Sequence, residues 1–401
     1  MEFRLTEEQL HWQRVAREFA EREIKPVVPE RERVADPWQR YPWDLVEKAD
    51  AVGLRTLALP PEQGGGGADT LTLVLCVEEL AAADVGVAVD LDQTWKFTPI
   101  IAHLMNETQR ERFLPTFRDD PRCVLALGGT EPDAGSDTWG PYVAPGAGPS
   151  LAARRDGQGW LLNGRKHFIN NGGEARLVFI LARTDPNATI KDGLTAFVVE
   201  QGTPGFGYGV SQDKIGQRLS SNVELIFDDC LVPDDNRLSR VGGGLGFMAY
   251  VGRRSLAKTG ALSVGVARGA LEAALARAQE RVQGGAPIIR HQAVQVVFGE
   301  MLAETEAARS LVWRAAWSAD NAEPFDPKLG NVAKLFATEM AVRVATRALQ
   351  VWGGYGVMTQ WPAEKFYRDA VTVTHMDGAN QLVAIRTGAQ LAGESIGGWM
   401  G

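Results

Sequence analysis

Near the end of the chain, "RDAVTVTHMDGANQLVAIR" (368–386) places a single carboxylate, Asp377, in a Met-Asp-Gly-Ala-Asn turn. A β-branched run precedes it and a helix-like pattern follows. Such an acid could be an ordinary loop residue. It could also be a base: buried against apolar neighbours such as Val371, Val373 and Met376, a carboxylate loses water and gains proton affinity. A second chemical candidate lies far upstream. "GGTEPDAGSD" (128–137) is polar and rich in small residues, so its backbone amides and the Thr130 and Ser136 hydroxyls can approach a ligand with many acceptors.

Other chemistries lose support. The five histidines, His11, His103, His167, His291 and His375, form no HExxH or other metal-ligand spacing, and no metal site is expected. No GxSxG elbow, GxxxxGK[ST] loop or strand-borne GxGxxG occurs. The three cysteines, Cys76, Cys123 and Cys230, make no CxxC pair, which argues against a disulfide framework. With 42 basic and 50 acidic residues, a net charge of −8 and no Lys/Arg block, no nucleic-acid partner is expected. No apolar run reaches the roughly eighteen residues of a membrane span. The start, "MEFRLTEEQ", has no basic segment followed by an apolar one, so a cytoplasmic location is expected.

The elements that would hold these groups follow from periodicity. Thr6 and Gln9 predict a capping box, and Trp12, Val15, Ala16 and Phe19 recur at helical spacing behind it. Helical patterns persist to about residue 120, with "PPEQGGGGAD" as a turn between helices. The runs "GWLLNGRKHFIN", "ARLVFILART", "LTAFVVEQ" and "NVELIFDDCLVP" then read as antiparallel strands separated by Gly- and Asn-rich turns. Long helices return from 247. One predicted over His291–Asp320 would be about 45 Å long, and the Ala/Gly-rich 255–281 suggests close helix packing. The expected class is α+β: an N-terminal helical domain (1–121), a middle antiparallel β-domain (122–240) and a C-terminal four-helix bundle (241–401).

Taken in order, "GLRTLALPPEQGGGGAD", "TEPDAGSD", "NGRKHFINNGG", "RHQAVQVVFGEML", "QVWGGYGV" and "RDAVTVTHMDG" resemble the acyl-CoA dehydrogenase family over nearly the whole chain. The resemblance implies FAD as cofactor, an acyl-CoA substrate, an electron-transfer flavoprotein as acceptor and a homotetramer built as a dimer of dimers. It implies flavin contacts from Leu127, Gly129, Thr130, Ser136, Phe168, Asn170, Ala379 and Gln381. Further FAD contacts are implied at Arg281, which typically reaches a neighbouring subunit, and at His291, Gln292, Gln350, Gly353 and Gly354. Substrate contacts are implied at Ser136, Arg254 and Gly378, and the catalytic base is implied at Asp377. Phe168 and Asn170 depart from the family's usual Trp and Thr, Gly284 replaces an expected aromatic residue, and Asp377 replaces the usual Glu.

"VDLDQTWKF" (89–97) bears on the substrate. Acids on a helix face ordinarily meet solvent, and that is the expectation for Asp90 and Asp92. The other reading puts one of them in the acyl pocket as a second acid or base, as would suit 1,4-dehydrogenation of a cyclic enoyl-CoA. Two rivals remain: a nitroalkane-oxidase-like flavoprotein with an Asp base, and a catalytically weak acyl-CoA-binding scaffold. "GPYVAPGAGPS" (140–150) reads as an inserted surface loop.

Overall fold

The computed structural model describes residues 4–139 and 144–394. The proposed insertion at 140–150 therefore lies partly outside the described residues. The first helix, α1 (Glu7–Phe19), starts at the expected capping box: the Thr6 hydroxyl accepts from the Gln9 amide and the Gln9 side chain accepts from the Thr6 amide. It is followed by α2 (Trp43–Ala51), α3 (Thr70–Ala83), α4 (Val85–Pro99) and α5 (Glu107–Asp119). Asp69 and Asp84 cap α3 and α4 by accepting amides three residues on.

The middle of the chain forms β1 (Leu125–Gly128), β2 (Ala152–Asp156), β3 (Gly159–Asn170), β4 (Leu177–Arg183), β5 (Leu194–Glu200), β6 (Phe206–Ser211) and β7 (Asn222–Pro233). Their order is β1-β4-β2-β3-β7-β6, with β5 on β4. Most neighbours are antiparallel, as the turn signals predict, but β1 runs parallel to β4 and the sheet is mixed. β4 is buried at every residue, which its unbroken LVFILA run requires.

Among the described residues five α-helices follow: α6 (Gly244–Glu280), α7 (Gln292–Asn321), α8 (Pro327–Trp352), α9 (Pro362–Val373) and α10 (Asn380–Leu391). One hydrophobic core runs through α1, α3, α4, α6, α7, α8 and α9, so the N-terminal helices pack directly on the C-terminal ones. A second core joins α4 and α5 to β1, β4, β5 and the start of α6. α4 belongs to both and is buried from Val85 to Thr98. No helix among the described residues is long and apolar enough to cross a membrane.

Buried ion pairs fix the helices laterally. Glu79 on α3 accepts from Arg17 of α1 (2.7 Å) and Arg268 of α6 (2.6 Å), while Glu78 takes Arg309 of α7 (2.9 Å). Glu32, Asp84 and Asp369 converge elsewhere, and the Lys365 ammonium already stands among them, 2.8 Å from Asp84 and 2.6 Å from Asp369.

α3 and α6 approach closely because Gly265 has no side chain: a Cβ there would stand 2.6 Å from the Glu78 carbonyl oxygen and 2.7 Å from the Ala81 Cβ. We predict that Gly265→Ala lowers stability by about 1–3 kcal/mol through this overpacking. Gly246→Ala, whose Cβ would meet no atom within 4 Å on the same helix, should be neutral or stabilising. Thermal denaturation of the two variants side by side checks the contrast.

Candidate active site

The turn between α9 and α10 is held from below by one lysine. Lys334 of α8 is buried, and its ammonium donates to the carbonyls of Thr374 (3.1 Å) and Gly378 (2.7 Å) and to the Asn380 side-chain oxygen (2.6 Å). Burial draws the Lys334 ammonium down to about 8. Above this anchor Asp377 adopts φ 49°, a left-handed backbone that Asp tolerates better than most residues, and Gly378 follows at φ 94°.

The Asp377 carboxylate is asymmetric. Its Oδ2 accepts from the Lys96 ammonium (2.7 Å), the Ser255 hydroxyl (3.0 Å) and, by a very short contact, the Thr259 hydroxyl. Oδ1 accepts nothing among the described residues, and the side chain is 25% exposed. Burial would raise this acid, but Lys96 and the two hydroxyls outweigh it and hold Asp377 at about 2. The group is therefore fully ionised, oriented through one oxygen and open at the other.

Lys96 comes from α4 and is shared. It lies 2.7 Å from Asp92, one turn earlier on the same helix, as well as 2.7 Å from Asp377. Burial would lower the Lys96 ammonium, but the two carboxylates hold it above its ordinary value. Lys258 of α6 stands 3.9 Å from Asp92, and burial draws its ammonium down to about 8.

The solvent placement expected for Asp90 and Asp92 is overturned: both have 0% exposure. The reason is that α4 is enclosed by both cores and has no solvent face. The two acids then diverge. Asp92 joins the Asp377 cluster through Lys96. Asp90 lies apart from it, its carboxyl pushed well up by burial against partial relief from the Ser220 hydroxyl. Ser220 in turn accepts from the Asn170 amide at 3.0 Å.

From the β-domain side, one residue contacts the Asp377 turn directly. The Ser136 hydroxyl accepts from the Ala379 amide (3.2 Å), which ties the "TEPDAGSD" loop to the Asp377 turn. Leu127 lies near the end of β1, and Gly129 follows the strand and leads into Thr130, whose carbonyl accepts from the His167 amide (2.9 Å). Between Lys166 and Ile169 the β3–β7 register shifts, and this irregularity ejects Phe168 from the ladder. Phe168 has φ 58° and is 55% exposed as a residue. Its ring meets the His167 ring edge to face at 4.0 Å, and an aromatic side chain so exposed suits a stacking ligand.

The outer residues gather elsewhere. Arg281 directly follows α6, His291 caps α7, with Gln292 first in that helix, and Gln350 lies in the last turn of α8 before Gly353 and Gly354. Arg277 draws the ends of α6 and α8 together by lying over the rings of Trp352 (5.4 Å) and Tyr355 (4.9 Å). The His291 ring is fastened to the Gln283 carbonyl (2.8 Å). Gly353 has φ 62° and ψ −140°, a backbone that itself calls for glycine; Gly354 has no atom within 4 Å of where a Cβ would stand, so packing inside the chain does not call for glycine there. A ligand running along the backbone would. Gln381 is exposed on the first turn of α10. Arg254 is engaged with Asp320 (2.7 Å). None of these outer residues hydrogen-bonds the Asp377 cluster among the described contacts.

Sequence reasoning did not find Lys96, Ser255, Lys258, Thr259 or Lys334. Two signals were present: Asp92 and Lys96 form an i,i+4 pair, and Ser255 and Thr259 share one helix face. Asn171 was also missed. Its amide donates to the carbonyls of Asp90 (3.0 Å) and Leu125 (3.2 Å), while its oxygen accepts from Tyr41 (3.0 Å), locking the strand end that bears Phe168 and Asn170.

Replacing Lys96 by Met removes the principal cation beside Asp377, so the folded-state value of that carboxyl should rise. Sign follows from the direction: a depressed acid stabilises the fold above its unfolded value of about 3.9 and loses that contribution as pH falls toward about 2. In Lys96→Met this acid-dependent loss should shrink or reverse. Urea unfolding at pH 3 to 7, compared with the parent chain, is the check.

Comparisons with known proteins agree with this arrangement. Family models for the acyl-CoA dehydrogenase N-terminal, middle and C-terminal domains match residues 6–119, 126–230 and 250–391. A short-chain specific acyl-CoA dehydrogenase of Megasphaera elsdenii is 34% identical over 98% of this chain and 100% of its own. The solved butyryl-CoA dehydrogenase of that organism superposes with a TM-score of 0.90 at 33% identity, covering 98% of this chain and 100% of its own. A solved nitroalkane oxidase also reaches a TM-score of 0.90, covering 98% of this chain and 96% of its own, but at 22% identity that likeness shows the fold alone.

Proposed function

This chain belongs to the acyl-CoA dehydrogenase family, FAD-dependent oxidoreductases acting on CH–CH groups, and on that premise we propose that Asp377 takes the α-proton of an acyl-CoA thioester through its free Oδ1. The carrying observation is the saturation of Oδ2 by Lys96, Ser255 and Thr259, which leaves Oδ1 as the single available base. Bound FAD supplies the hydride acceptor for the β-hydrogen, so the α,β bond becomes an alkene.

A carboxylate held at about 2 is a weak base until its surroundings change. Seating a thioester over Oδ1 excludes water and raises its proton affinity. Lys96 can also move its donation toward Asp92, since both carboxylates lie at 2.7 Å. Ser136 holds the turn through Ala379 and faces the same region as Thr130 and Gly378, in keeping with roles at the thioester end. Phe168 and Asn170 would lie along the flavin ring. Leu127 and Gly129 would complete that inner group, and Arg281, His291, Gln292, Gln350, Gly353, Gly354 and Gln381 would hold the rest of FAD. Asp92 is engaged by two lysines, so the 1,4-dehydrogenation reading, which needs a free second base, gains less from its burial than the 1,2 reading does from Asp377.

We further assign an electron-transfer flavoprotein as the electron acceptor and a homotetramer as the assembly. Exposed apolar side chains on α7 and α8, among them Val296, Leu302, Trp317 and Phe336, support a subunit interface on that face.

Asp377→Asn should retain FAD and its yellow colour while slowing anaerobic flavin bleaching by acyl-CoA about a thousandfold or more. Bleaching at the parent rate would move the base elsewhere.

A further inference from the structure

On the Oδ2 side of the proposed base stands a row of ionic side chains. Moving inward from Asp377, the groups are Lys96 at 2.7 Å, then Asp92 at 2.7 Å from Lys96, then Lys258 at 3.9 Å from Asp92. α4 and α6 contribute all of the side chains in contact with the carboxylate, and each contributes a buried ammonium.

Lys258 is the unusual member. Only 2% of the residue is exposed, and among the described residues its ammonium has an ion pair but no hydrogen bond, its Nζ keeping a small contact with solvent. Its one ion pair, at 3.9 Å, is beyond hydrogen-bond reach. An ammonium has three protons to place and no acceptor capacity, and leaving them unmet in a buried site is costly. Lys96 differs, since it is matched by two carboxylates. Arg254, the other nearby cation, is taken by Asp320 and lies over the Tyr250 ring. An alkyl chain laid against Lys258 would bury the ammonium further without supplying an acceptor. An oxygen would supply one.

We propose that the acyl group presented to Asp377 carries an acceptor oxygen, of a carboxylate or a hydroxyl, which is received by Lys258 beside the Asp92–Lys96 pair. This assignment rests on the dehydrogenase reading above and makes Lys258 a specificity-determining residue for it. The low value of the Lys258 ammonium, about 8, accords with a cation waiting for a partner.

The test uses the FAD-loaded protein and CoA derivatives matched in length. S-butyl-CoA, S-(4-hydroxybutyl)-CoA and S-(3-carboxypropyl)-CoA are thioethers that cannot be dehydrogenated by this route, so calorimetry reads binding alone. One or both of the oxygen-bearing thioethers should bind about tenfold more tightly than S-butyl-CoA, and the stronger arm identifies hydroxyl or carboxylate. Lys258→Met should erase that ratio, and Lys258→Arg should keep part of it. Anaerobic bleaching by butyryl-, 4-hydroxybutyryl- and succinyl-CoA, each with hydrogens on both the α and β carbons, should follow the same ranking. Tighter binding of S-butyl-CoA overturns the proposal. So does an unchanged ratio in a Lys258→Met protein that melts and holds FAD like the parent. If Lys258→Met does not fold, the parent ranking and Lys258→Gln decide. Absence of bleaching by every thioester would sink the dehydrogenase reading, and the thioether affinities would still judge Lys258.

Discussion

The Lys96 ammonium stands 2.7 Å from Asp92, on its own helix, and donates to Asp377, 281 residues further along the chain. Three charges taken out of water in this way are costly, and their attraction offsets the loss only while all three keep their places. Removing Lys96 leaves two acids without their shared cation. The arrangement therefore constrains far more than a side chain: α4 cannot slide along its axis, and the α9–α10 turn cannot lift, without breaking it. The active-site geometry and the docking of the N-terminal helices on the C-terminal ones are one problem with one solution.

Other contacts make that solution reachable. Lys334 spends its three donors on the turn itself, so the left-handed backbone at Asp377 is held by the fold and does not depend on a ligand. Gly265 lets α3 lie close enough to α6 for Glu78 and Glu79 to meet arginines from three other helices. Each of these devices is local, but all of them converge on the position of α4 and α6 relative to Asp377.

Much of this was legible in the chain. The Thr6–Gln9 box, the spans of β3 and β7, the long helix after His291 and the place of Asp377 follow from caps, periodicity and motif order. What was not legible depends on contacts between distant segments. Asp90 and Asp92 read as exposed because acids usually are, and nothing in "VDLDQTWKF" states that two separate cores close around it. The irregularity that ejects Phe168 has no signal in "NGRKHFINNGG", because it arises from register with β7. Lys258 is a single charge in an Ala/Gly-rich helix, and that isolation is a hint only once the helix is known to be buried.

The unequal treatment of the two oxygens of Asp377 has a stereochemical consequence. With three donors on Oδ2, the carboxylate cannot turn about its Cβ–Cγ bond, so protons can reach or leave it from one direction only. A substrate seated above would present one prochiral hydrogen to that oxygen and keep the other out of reach. Exchange of the α-hydrogens with heavy water, run in the absence of net turnover, would then label a single face of the carbon. The handedness of the product's history would be written by a lysine and two hydroxyls that never touch the substrate carbon at all.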